Sequence, residues 1–90
     1  MIKLSRTGVG TADLIETIRD SDGTGLLPLQ LNVAAGTTAR VLARVSGEAP
    51  WVEVRSPSTV DYIESISWVP YVRLEVTSGT GVANLWIGDK

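Results

Sequence analysis

The chain has 90 residues, enough for one domain spanning residues 1–90, and carries Lys plus Arg 8 against Asp plus Glu 10, a net charge of −2. With neither His nor Cys, it has no imidazole catalysis, thiol chemistry, disulfides or zinc sites built on those ligands. Charges of both signs are scattered and no apolar run approaches the ~18 residues of a membrane span, so neither nucleic acid nor membrane is expected as a partner.

Hydrophobic residues, 43% of the chain, fall in short runs rich in Val, Ile and Thr, separated by Gly, Pro, Ser and Asp. That punctuation belongs to an all-β domain. Met1 to Gly8 alternates charged with apolar residues and has no apolar stretch like a secretory leader. Thr11 to Arg19 supports two readings: Asp13 and Glu16 have the spacing of a helical capping box, while Ile15 and Ile18 suit a strand. The strand is favoured, because every neighbouring run is β and a lone short helix is marginal in water.

Leu26 to Val33 places Leu27, Leu29, Leu31 and Val33 at period two, with Pro28 on the opposite parity, and reads as an early edge strand. Thr38 to Ser46 sets Val41, Ala43 and Val45 on one face and Arg40, Leu42 and Arg44 on the other. After a break at Gly47 to Pro50, Trp51 to Arg55 resumes with Val52 and Val54 inward, and these two runs are candidates for a hairpin. Thr59 to Ile66 is β-prone, but its alternation slips at Tyr62 and Ile63, suggesting a bulge or a change of partner. Tyr71 to Thr77 sets Val72, Leu74 and Val76 inward, and Val82 to Ile87 does the same with Ala83, Leu85 and Ile87. The turn Ser78 to Gly81 between them predicts a hairpin. Loops are expected at Gly23 to Gly25, Ala34 to Thr37, Gly47 to Pro50, Ser56 to Ser58 and Ser78 to Gly81. The sum is an antiparallel β-sandwich or small jelly roll of about seven strands. A core this thin, without disulfide or metal, predicts association with other chains.

Candidate chemistry is sparse. Asp20-Ser21-Asp22-Gly23-Thr24-Gly25 resembles the opening of a calcium loop, but the position needing a bidentate Glu is Leu31, so an Asp-Gly turn fits better. Gly8-Val9-Gly10, Gly23-Thr24-Gly25 and Gly79-Thr80-Gly81 lack the Lys and the strand-to-helix setting of a phosphate cradle and read as turns. For the pairs Asp13 with Glu16 and Asp61 with Glu64 to divide acid and base roles they would have to flank a cleft, for which so small a sandwich has little room; solvated strand charges explain them. A Ser or Thr nucleophile would need a base, and the ammonium groups are Lys3 and Lys90 at the two ends. No catalytic residue, metal site or cofactor is expected, and the protein is read as not an enzyme.

The aromatic residues are more informative. Trp51 follows Pro50, Tyr71 follows Pro70, and Trp86 lies opposite Leu85 and Ile87 in parity. For these three, packing within the sandwich and an exposed contact both fit; for Trp68, flanked by apolar runs, packing is favoured. With the neighbouring Arg40, Leu42, Arg44 and Arg73 they form the candidate partner-binding set.

The phrases Ala34-Ala35-Gly36-Thr37-Thr38-Ala39-Arg40-Val41-Leu42 and Pro70-Tyr71-Val72-Arg73-Leu74-Glu75-Val76, continuing through Gly79-Thr80-Gly81-Val82-Ala83-Asn84-Leu85-Trp86-Ile87, resemble small β-sandwich virion proteins of tailed bacteriophages. The resemblance is one of pattern: a Gly-Thr turn feeding a strand with a central Arg, then a Trp-containing strand, then a final hairpin with an Arg in its first strand. It implies a non-catalytic capsid decoration, or cement, protein that binds the outside of an assembled head as a dimer or trimer. The implied partner is the major capsid protein or another virion protein, and the implied location is the virion, after synthesis in the host cytoplasm. The family has no catalytic motif to carry over. The alternative is a carbohydrate- or receptor-binding module of a tail fibre or cell-surface protein, with Trp51, Tyr71 or Trp86 stacking on a sugar.

Overall fold

Period-two alternation sends every second side chain of a strand to one face, so two sheets with apolar inner faces bury one common layer. The computed structural model describes residues 2–14 and 25–88. It contains β1 (Ile2–Thr7), β2 (Gly10–Asp13), β3 (Leu26–Val33), β4 (Thr38–Arg44), β5 (Val52–Ser58), β6 (Tyr62–Ser67), β7 (Tyr71–Ser78) and β8 (Val82–Ile87). Sheet I has the order β1-β8-β3-β6 and sheet II the order β2-β7-β4-β5, with every pairing antiparallel. The expected all-β sandwich is the fold observed. Leu27, Leu29 and Leu31 of β3, Val72, Leu74 and Val76 of β7, and Ala83, Leu85 and Ile87 of β8 form its dry centre. Leu4, Ala39 and Val41 complete it, and Tyr62, Ile66, Trp68 and Val69 pack around the margin.

The two strand orders match position by position, and each matched pair is consecutive in sequence: β1 with β2, β8 with β7, β3 with β4, β6 with β5. The registers Thr7↔Val82, Val33↔Ala83 and Leu31↔Tyr62 in sheet I, with Gly10↔Val76, Thr38↔Ser78 and Ala39↔Ser58 in sheet II, place all four connections at one end. The chain is therefore four arches side by side, each crossing from one sheet to the other.

This topology corrects the hairpin expected at Ser78 to Gly81. β7 and β8 lie in different sheets, and the turn binds the neighbouring arch rather than itself. The Gly81 N–H donates to Thr37 Oγ1 at 3.0 Å, the Ala34 N–H to the Val82 carbonyl at 3.0 Å, and the Gly8 N–H to the Gly81 carbonyl at 3.0 Å. Gly79 has φ +96°, and a Cβ there would stand 2.5 Å from the Gly36 carbonyl oxygen. Thr37, fully buried, is the polar post that ties the arches together.

Other expectations shift for local reasons. β3 is an interior strand between β8 and β6, not an edge. Pro28 is tolerated because its carbonyl accepts from the Gly88 N–H, so its nitrogen also faces the end of β8, where pairing stops at Ile87. The β4/β5 hairpin is present, but Val45 lies past the end of β4 and is 72% exposed, and Val52, on the inner side opposite Ala43, remains uncovered on the edge strand. Ser56 to Ser58 belongs to β5 rather than to a loop, and the register shifts fall where β4 pairs with β5 and with β7, whereas β3/β6 runs unbroken. The slip at Tyr62 and Ile63 instead marks the sheet crossing at residues 59–61. β1 occupies the charged and apolar alternation of Met1 to Gly8, a segment to which the sequence reading assigned no strand. Thr11 to Arg19 yields β2, ending at Asp13, with Leu14 packed against the core; residues 15–19 and the turn expected at Asp20 to Thr24 lie outside the described residues.

Candidate functional site

The parity that fills the core also fixes what the outer faces display. On sheet II, β4 turns out Arg40, Leu42 and Arg44, β7 turns out Tyr71, Arg73 and Glu75, and β2 contributes Asp13 opposite Arg73. All the sequence-predicted contact residues except Trp86 meet on this face. Arg73 grips Asp13 with two charge-assisted bonds, Nε to Oδ1 at 2.6 Å and a second terminal nitrogen to Oδ2 at 2.7 Å. That bond holds the guanidinium pKa above its already high ordinary value. Arg40 donates to Glu75 at 2.5 Å and lies 3.9 Å from Glu53.

Trp51 organises one end of the face. The Arg44 and Arg73 guanidinium carbons lie 4.3 and 4.4 Å from its ring centroid, and Arg44 also approaches the Tyr71 ring at 5.3 Å. Leu42 corrects its expected exposure. Surrounded on its face by Arg40, Arg44, Arg73 and Glu53, it is only 6% exposed and forms the floor beneath the polar layer. Trp68 packs at the core margin as expected.

Trp86 is on the opposite face. In sheet I the registers align Lys3, Trp86, Gln30 and Ile63 in one row across the strands, and Ser5, Asn84 and Asn32 in the next, beside Asp61. A groove of about 460 Å³ lies against Pro28, Gln30, Ile63, Trp86 and Gly88, and further shallow depressions follow toward Asn32, Asp61 and Asn84. Sequence reading missed this groove. The parity of Leu27, Leu29 and Leu31 sends Pro28, Gln30 and Asn32 outward, but the slip at Ile63 hid the opposite wall.

The described acidic side chains of the two candidate pairs have structural partners. Asp13 holds Arg73, Asp61 accepts the Val33 N–H at 2.7 Å, and Glu64 pairs with Arg55 at 3.1 Å. Arg55 also covers the Tyr62 ring at 3.8 Å along the open margin between β5 and β6. Among the described residues, no group of three or more His, Cys, Asp or Glu side chains is placed to hold a metal ion. No family model, curated protein or solved structure matches the chain.

Proposed function

We propose that the chain is a non-catalytic structural protein of a tailed-phage virion, a decoration subunit that docks on the assembled head through the outer face of sheet II. The observation that carries this reading is the cluster of Arg44, Trp51, Tyr71 and Arg73, which gathers on one surface the residue types that dominate binding energy at protein interfaces. Stacking and ion pairing already fix these long side chains, so docking forfeits less rotamer freedom than it would for free arginines. The partner is the major capsid protein or another virion protein. Repetition over identical sites, as a dimer or trimer, lets modest contacts hold.

The test adds the purified chain to phage heads stripped of accessory proteins and follows its sedimentation. Binding that saturates at a fixed ratio to the coat subunit, and that Trp51→Ala weakens while circular dichroism stays β, supports the proposal. A chain that remains in the supernatant at every concentration contradicts it.

A further inference from the structure

We propose that the outer face of sheet I is a binding site for a neutral oligosaccharide, which lies in the groove along β3 between Trp86 and Ile63. The site is independent of the docking face on sheet II and shares no residue with it.

The geometry is that of a walled trough. Gln30 is in register with Trp86 on one side and Ile63 on the other, so the aromatic and aliphatic walls stand on strands two spacings apart, about 9–10 Å. Ile63 is 76% exposed, an apolar side chain that contributes little to the core on its own sheet. Lys3 sits 5.2 Å from the Trp86 ring centroid on the β1 side, whereas Gln30 and the groove lie on the β3 side.

The chemistry along β3 selects the occupant. Gln30 in the groove, and Asn32 and Asn84 in the shallow depressions that continue it, each present a carbonyl acceptor and an amide donor, which matches a hydroxyl that both donates and accepts. Gln30 Nε2 donates to Asn32 Oδ1 at 3.2 Å and Ser5 Oγ to Asn84 Oδ1 at 2.6 Å, leaving the amide nitrogens of Asn32 and Asn84 without acceptors among the described residues. An apolar protein surface laid here would bury those donors unpaired, at a real cost. A strongly charged ligand would find Lys3 over Trp86 and Asp61 already engaged by a backbone N–H. A sugar presents an apolar ring face to the walls and hydroxyls to the floor, the combination that concave sites of this kind recognise.

The experiment titrates the full chain with cellohexaose, maltohexaose, chitohexaose and laminarihexaose, and with a hyaluronan octasaccharide as the charged comparison, by calorimetry and amide chemical-shift mapping. Expected are saturable binding of at least one neutral hexamer, shifts confined to β3, β6 and β8, and no binding of hyaluronan. Trp86→Ala, Gln30→Ala and Ile63→Ser should each weaken binding about tenfold or more. Should Trp86→Ala not fold, the two other variants decide the matter. The proposal is overturned if no neutral hexamer saturates at millimolar concentration, or if binding survives Gln30→Ala and Ile63→Ser. It is also overturned if Ile63→Ser dissolves a dimer of the wild-type chain, since a second copy would then occupy the groove.

Discussion

The two outer faces arise from the same alternation, each in its own four strands, yet they handle polarity in opposite ways. On sheet II, Asp13, Glu53 and Glu75 face Arg40, Arg44 and Arg73, and every one of these arginines is ion-paired, stacked on a ring, or both. On sheet I the outward rows are Ser, Asn, Gln and apolar residues, with Lys3 and Asp61 at the periphery. A face whose charges are mostly paired or stacked, with the buried Arg44 Nε left without a hydrogen-bond partner among the described residues, presents a fixed shape; a face that leaves amides unsatisfied presents chemistry to something else. The contrast suggests two kinds of partner for one small sandwich.

Breaking what the faces share should have the largest effect. Leu85→Ala, in the fully buried centre, is expected to cost about 2–5 kcal/mol in urea unfolding and to abolish both faces together. Gly79→Ala, which forces a Cβ into the Gly36 carbonyl at positive φ, should cost about 1–3 kcal/mol while leaving the strand signal in circular dichroism intact. The faces themselves then separate. Arg73→Ala loses the grip on Asp13 and the stack on Trp51 and should cost about 1–2 kcal/mol, part of it erased by high salt. Ile63→Ser, on the other face, should stay within about 0.5 kcal/mol of wild type. A large loss there would make Ile63 part of the fold rather than of a groove.

A small effect, read through pH, lies at the margin between the sheets. The Tyr62 hydroxyl is buried without a hydrogen-bond partner among the described residues. Burial first, then the Glu64 charge, raises its pKa above the ordinary phenol value, against a lowering by Arg55. The folded state thus disfavours the phenolate: the contribution to stability is complete below about pH 10 and is lost as pH rises through the raised value. Tyr62→Phe should change stability at neutral pH by less than about 1 kcal/mol and flatten that alkaline decline.

The strands and the inner faces were legible because alternation is a local property; Val72, Leu74 and Val76, and Ala83, Leu85 and Ile87, are buried as their parity requires. Apart from the β4/β5 hairpin, which strand pairs with which was not legible. Ser78 to Gly81 has the composition of a hairpin turn, and only its approach to Gly36 and Thr37, far earlier in the chain, makes it an arch. Arg40, Leu42, Arg44, Tyr71 and Arg73 were legible as a set on β4 and β7, but the burial of Leu42 depends on side chains converging from its own strand and both neighbours. The groove depended on the parity of Ile63, which the crossing at residues 59–61 obscures.

Cryo-electron microscopy of heads decorated with the chain tests the central claim most directly, because it shows which face meets the coat. The expected density has Trp51 and Tyr71 against the coat lattice and the Trp86 groove turned outward to solvent. Sheet I seated on the lattice, with the arginine cluster of sheet II exposed, would contradict it.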